Sequence, residues 1–199
     1  MKKSIVLCAA LFTALIFIPP EVPAAAPEWQ FDRDHSRTYF IIDHIFSRVI
    51  GFFDDYSGKF YFDPDNLGES SIALEIKTDS INTNILKRDN HLRSDEFFDV
   101  KKYPRITFRS TRIYREEGNR FIVEGDFTIK DVTKRITVPL TYFGVRDNPL
   151  KEGQVVAGFE ARFTIDRLEY HVGSGKYYQM GVTGKDVDLL ITLEMLRDK

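Results

Sequence analysis

The sequence predicts an all-β fold: eight antiparallel strands joined mainly by tight turns, with a short helical excursion in one long connection. Three observations carry this. Apolar residues recur at every second position through eight separate runs, the period that sets successive side chains on opposite faces of a strand. Turn signals separate many of the runs: Asp63-Pro64-Asp65 with Gly68, Glu117-Gly118-Asn119, Asp131 to Thr133, and Asp147-Asn148-Pro149 with Gly153. Several runs also exceed the usual five or six residues, which favours closure into a barrel over stacking as a sandwich.

Taken in order, the chain begins with Lys2 and Lys3, an apolar run from Ile5 to Ile18, then Pro19, Pro20 and the small residues Ala24, Ala25 and Ala26. This pattern is that of a secretory signal peptide over residues 1–24. A cut after Ala26 would place Pro27 first, so Val22-Pro23-Ala24 is the favoured site and Ala26 the latest one. The apolar run is shorter than the roughly 20 residues needed to span a bilayer core. Cys8 follows Leu7, where a lipoprotein site requires a small residue, so lipidation is not expected. The mature chain is expected in the periplasm, as one domain over residues 27–197.

The strand runs are Arg37 to Asp43, Gly51 to Phe62, Ser71 to Lys77, Arg105 to Arg115, Arg120 to Lys130, Lys134 to Val145, Gln154 to Ile165 and Lys185 to Leu196. Two long interruptions do not alternate. Thr78 to Pro104 has room for a short helix around Leu86 to Phe97; Asp166 to Gly184, with Gly173, Gly175 and Gly181, reads as loop.

Composition narrows the function. Cys8 is the only cysteine, so the exported domain has no disulfide and depends on its core, for which its length suffices. The formal charge is −2, with both signs dispersed, which excludes the basic footprint of a nucleic-acid binder. No Gly-x-Ser-x-Gly elbow, phosphate-binding loop or dinucleotide fingerprint is present, and the four histidines form no HxH or HExxH pattern. No enzyme activity, metal site or cofactor is expected.

An eight-stranded barrel has room inside for side chains or one small ligand. Seventeen Phe and nine Tyr serve either purpose, core filling or lumen lining. The lining candidates are Phe40, Ile42, Phe52, Phe60, Phe62, Ile106, Phe108, Phe127, Ile129 and Phe163. Alternation fixes relative parity and leaves the inward face open where both faces are apolar, as at Phe52-Phe53 and Phe60-Tyr61-Phe62. Phe97 and Phe98 are expected to plug or floor one end of the barrel. His44 shares the parity of Phe40 and Ile42 and is a candidate polar contact. Arg88 is either an ion-pair partner of Asp89 or a cation offered to a bound ligand, and Arg167 after Asp166 reads the same way.

The mature length, roughly Trp29 to Leu196, resembles the YceI-like family. The resemblance rests on Asp34-His35-Ser36 at the start. It is densest through Ser80-Ile81-Asn82-Thr83, Arg88-Asp89, His91-Leu92-Arg93-Ser94, Phe97-Phe98-Asp99-Val100 and Tyr103-Pro104. Gly125-Asp126-Phe127-Thr128-Ile129-Lys130 and Ile165-Asp166-Arg167 extend it toward the end. The family pattern leads one to expect Gly at Asp131 and a Phe-Gly pair at Tyr170-His171, where this chain departs from it.

The resemblance implies a lipocalin-like barrel, exported, that carries or stores a long isoprenoid lipid such as a polyprenyl phosphate or an isoprenoid quinone. Transient contact with membrane proteins or the membrane surface is compatible with this, as is a homodimer. The alternative is a scaffold or stress-response interaction module with no obligatory ligand. An isoprenoid tail offers no hydrogen-bonding group, so recognition reduces to shape and removal from water. About ten buried carbons supply on the order of 8 kcal/mol, near micromolar binding before ordering costs.

Overall fold

The computed structural model describes residues 25–199, so the expected leader lies outside the described residues. Its elements are β1 (Glu28–Phe31), β2 (Arg37–His44), β3 (Ser47–Phe53), β4 (Tyr56–Tyr61), β5 (Ser71–Lys77), β6 (Ile81–Asn82) and α1 (Leu86–Arg93). They continue with β7 (Arg105–Glu117), β8 (Arg120–Ile129), β9 (Val132–Asp147), β10 (Gln154–Asp166), α2 (Lys176–Gln179) and β11 (Thr183–Asp198). Among the described residues no helix is long and apolar enough to cross a membrane.

Every strand pairing is antiparallel, and the sheet closes through β1-β4-β5-β7-β8-β9-β10-β11 and back to β1. This is the expected eight-stranded barrel. The additional strands arise because three of its rows are broken. β1 and β2 lie end to end along β11, through Gln30↔Leu196 and Thr38↔Ile191. β3 and β4 form the next row, interrupted at Asp54 and Asp55, and β5 with β6 forms the third. The run read as one strand from Gly51 to Phe62 is therefore two.

Buried hydroxyls seal the breaks. Ser36 Oγ donates to the Glu194 carbonyl and accepts from the Glu194 N–H, both at 3.0 Å, replacing the ladder bonds lost between β1 and β2. Tyr56 Oη donates to the Ser36 carbonyl at 3.1 Å. Beyond β5, Thr78 donates its N–H to Pro104 and its Oγ1 hydrogen to the Tyr103 carbonyl, at 3.0 and 2.7 Å. Ser36 and Thr78 are fully buried, so these partners meet the requirement that a buried polar group be hydrogen-bonded.

The two ends of the barrel differ. At the β1–β4 end the ladder is continuous around the ring. At the other end β6 is only two residues long and pairs with β3, and the segment after it turns into α1. α1 is shorter than the span expected from sequence and stops at Arg93, whose guanidinium donates to the Asp79 and Ile81 carbonyls at 2.7 and 2.6 Å. The connection between β10 and β11, read as loop, contains a 3-10 turn over Arg167–Tyr170 and the short α2.

Candidate functional site

Alternation along β2, β7, β8, β10 and β11 turns one set of apolar side chains inward. Together they enclose a cavity of about 330 Å³ that opens at the α1 end. Phe40, Ile42, Ile106, Phe127, Ile129 and Phe163 all line it, and so do His44 and Arg88. A second, wholly apolar cavity of about 70 Å³ lies deeper and is bounded by Phe60 and Phe108. The two share Ile76, Ile106, Phe127, Phe163 and Ile191 as a common wall.

Two lining candidates lie elsewhere. Phe52 is on the opposite face of β3 from Phe53, with its ring edge-on to Tyr39 at 6.2 Å; Phe53 takes the inward position. Phe62 follows the end of β4 and belongs to the floor. There it meets Phe121, Phe159 and Tyr142 at ring separations of 5.2 to 5.3 Å, and its carbonyl accepts from Trp29 Nε1 at 3.0 Å. This aromatic cluster closes the barrel at the end where the ladder is continuous. Phe97 and Phe98, expected as plug or floor, instead wall the outer cavity near its mouth. Phe97 stacks on Tyr177 at 6.1 Å, and Phe98 stands edge-on to Phe53 at 5.9 Å.

The arginine and imidazole groups of the outer cavity gather at the mouth. His44 is on the last residue of β2, Arg88 and His91 are on α1, and Arg167 follows β10. Among the described residues no carboxylate lines either cavity. Arg88 does not pair with Asp89. Instead both hold Thr83: the Asp89 carboxylate accepts from the Thr83 N–H and Oγ1 at 2.8 and 2.5 Å, while Arg88 donates to Thr83 Oγ1 and its carbonyl at 2.8 and 3.0 Å. This clamp fixes Arg88 at the mouth and leaves its Nη1 without a hydrogen bond among the described residues.

Arg167 also differs from its expected pairing. Asp166 bonds Lys185 at 2.7 Å, and Arg167 donates to the Gly184 and Val172 carbonyls at 2.9 and 2.6 Å. Its Nη2 is buried with no partner among the described residues, and the residue is about 95% buried. Burial pushes the guanidinium pKa down, against the opposing pull of Asp166. A buried cation with carbonyl partners only is stabilised by any anion brought near it.

Two further clusters lie outside the lumen. His35 Nδ1 bonds Asp32 Oδ2 at 2.8 Å beside Glu194, and the three together form a group of metal-ligating type on the outer wall. His171 Nδ1 meets Asp131 Oδ1 at 3.1 Å. Asp131 and the Tyr170-His171 pair are the two sites at which the sequence departs from the pattern that it otherwise resembles, and the structure brings them into contact through His171.

Sequence reasoning missed Phe53, Phe97, Phe98, Tyr177 and the β11 residues Val187, Leu189 and Ile191 as lining residues. The alternation of β11 carried a usable signal for the last three. Arg167 was visible only as half of an Asp-Arg pair.

The profile of the YceI-like domain matches residues 29–195. Protein YceI of Escherichia coli O157:H7 is 34% identical over 202 residues, covering 100% of both chains. A UPF0312 protein of Pectobacterium atrosepticum is 34% identical over 190 residues, covering 94% of this chain and 95% of its own. Among solved structures, the Campylobacter jejuni YCEI protein superposes with a TM-score of 0.68 at 31% identity, over 77% of this chain and 87% of that one. Burkholderia cenocepacia BcnA shares the fold with a TM-score of 0.72 at 24% identity, over 84% and 99%. So does a polyisoprenoid binding domain from Saccharophagus degradans, at 0.62 and 16%, over 85% and 98%. With its barrel matched from β1 to β11, this chain belongs to the YceI-like family.

Proposed function

We propose that the protein is an exported, periplasmic carrier or store for a long isoprenoid-type amphiphile, a polyprenyl phosphate or an isoprenoid quinone, held tail-first in the barrel. One observation carries the reading: an apolar lumen, floored by aromatic rings, has cationic side chains and, among the described residues, no carboxylate lining it at its open end. A tail removed from water gains about 0.8 kcal/mol per methylene-sized group, and the mouth supplies the polar contacts that orient the head. His44, Arg88, His91 and Arg167 are donors or cations, which suits an anion or a carbonyl acceptor. The name of the Saccharophagus degradans relative as polyisoprenoid binding supports the ligand class. The reading requires no catalysis, metal or cofactor.

Native mass spectrometry of protein purified from its own host tests it. A copurified isoprenoid lipid is expected, and a homogeneous ligand-free protein overturns the reading. The alternative, an interaction module whose barrel is a scaffold, draws on an outer groove that holds the exposed Phe143, Val145 and Leu150. It predicts a partner retained after polar substitution of Phe127 and Phe163.

A further inference from the structure

The cavity mouth is ringed by apolar side chains that nothing in the barrel covers. Phe46 is fully exposed and Ile45 mostly so, at the β2–β3 turn; Ile85 and Leu86 are exposed at the start of α1; Tyr178 and Met180 are exposed at α2. Each pair flanks residues that line the cavity. Ile45 and Phe46 sit between His44 and Val49, Leu86 precedes Arg88, and Tyr178 and Met180 sit between Tyr177 and Val182. The three elements are tied together. Ile45 N–H donates to the Val182 carbonyl at 3.0 Å, and His91 of α1 stands edge-on to Tyr177 of α2 at 6.0 Å.

The turn itself is unusual. Ile45 has φ +50, a conformation that β-branched residues avoid and that Asn or Gly adopts without strain. A two-residue hairpin that needs only to reverse the chain has no use for Ile-Phe at its tip. The residues are explained by what the tip touches.

Charge points to the same occupant. The whole chain carries −2, yet the three segments bearing these residues, 43–50, 84–90 and 174–185, hold five lysines and arginines against two aspartates. Asp43 is paired with Arg48 at 3.2 Å, Lys185 with Asp166 and Asp186 at 2.7 and 3.3 Å, and buried Asp89 is engaged by Thr83, so the cations left without an acidic partner are Lys87, Arg88 and Lys176. Lys87 and Lys176 form no ion pair among the described residues. Glu96, just past α1, is held by His91 at 2.7 Å. Exposed aromatic and aliphatic groups interleaved with free cations are what an interfacial segment presents to anionic lipid.

We infer that this rim docks on an anionic phospholipid bilayer, with Phe46 and Met180 entering the acyl boundary and Lys87 and Lys176 meeting headgroups, so that the lumen opens onto the membrane. The inference rests on the carrier reading and gives it its point of loading.

Flotation of the mature protein with vesicles tests it. Wild type is expected to float with vesicles containing phosphatidylglycerol, more weakly at high salt, and poorly with phosphatidylcholine alone. Phe46→Asp combined with Met180→Asp should weaken flotation by about tenfold or more, and Lys87→Glu by about fivefold. Phe143→Asp, on the outer groove away from the mouth, should leave it unchanged. Both rim positions are exposed, so the variants keep the fold, checked by an unchanged melting temperature.

Unaltered flotation of the rim variant, or equal loss in Phe143→Asp, overturns the docking surface. So does a wild-type dimer that Phe46→Asp converts to monomer, since a second copy would then cover the rim. Capture by a membrane protein in detergent, without vesicle binding, overturns it as well. Native mass spectrometry on the same samples separates the two ideas. Isoprenoid bound without flotation refutes docking and leaves carriage; flotation by a protein that never carries lipid refutes carriage and leaves docking.

Discussion

Ala161→Leu tests whether the deep chamber is part of the lipid site. Ala161 is buried on β10 and borders the 70 Å³ cavity. Benzene occupies an engineered cavity of about 150 Å³, so a packed carbon needs roughly 25 Å³. The three carbons added by leucine therefore fill about 75 Å³, close to the whole chamber. Their burial is worth about 2.4 kcal/mol gross, and about 1.5 kcal/mol after leucine's lost rotamer freedom. The ligand-free variant should melt about 3–6 °C higher. Tail capacity should shrink correspondingly. The outer cavity alone holds about 13 carbons and the two together about 16. A prenyl chain of about 15 carbons then loses the burial of about two carbons, roughly 1.6 kcal/mol or on the order of fifteen-fold in affinity, while one of about 10 carbons loses nothing. The assay is thermal denaturation of delipidated protein followed by competition binding with prenols of graded length. Equal weakening of both tails, or a lower melting temperature, refutes the idea that the chamber is fillable space reached by the tail.

Three other predictions follow from local geometry. Arg88→Gln should weaken a polyprenyl phosphate by about ten- to a hundredfold, the worth of one charge-assisted hydrogen bond, and leave the matching prenol unchanged; isothermal titration with both ligands checks this. In Gly51→Ala the new methyl would lie 2.3 Å from Phe40 Cζ and 2.9 Å from the Asn82 carbonyl, so the Phe40 ring must move; a loss of about 1–3 kcal/mol in urea denaturation is expected, together with weaker lipid binding. The hydrogen bond and charge of Asp32 raise the His35 pKa above its ordinary 6.5. The partner agrees: burial raises the Asp32 carboxyl, but hydrogen bonds from His35 and the Asp34 N–H outweigh it and hold it low. A raised folded-state value means stabilisation that is complete below pH 6.5 and is lost as pH climbs through the folded value. Melting temperatures of wild type and His35→Gln should therefore diverge in mild acid and converge in base.

Much of the barrel was legible because each of its eight rows alternates for long enough to show a period of two. The breaks were not. Asp54-Asp55 interrupts a row with no change in composition that a turn would announce, and Glu28–Phe31 is too short to display a period. The site was legible in one dimension only. Parity separates the two faces of a strand, and Phe40, Ile42, Ile106, Phe127, Ile129 and Phe163 share the face that lines the cavity. It is silent on height along the barrel axis, which depends on strand tilt and register. Phe62 was therefore indistinguishable from Phe60, although one seals the floor and the other borders the deep chamber. Where both neighbours are aromatic, as at Phe52-Phe53, parity itself was ambiguous. Arg167 lies in a connection without periodicity, and its orphaned nitrogen depends on backbone carbonyls that no pattern reveals.

The broken rows give the barrel unequal stiffness along its length. At the floor, every strand is held by ladders on both sides and by interlocked rings, so widening that end means breaking hydrogen bonds and packing together. At the mouth, β6 contributes two residues, and its outer flank is bridged by the Arg93 side chain instead of a neighbouring strand. Side-chain bonds of this kind stretch and re-form without unzipping a sheet. The mouth is therefore the end that can dilate while the base keeps its shape, and amide exchange should be faster in β6 than in the floor pairs of β4 and β5.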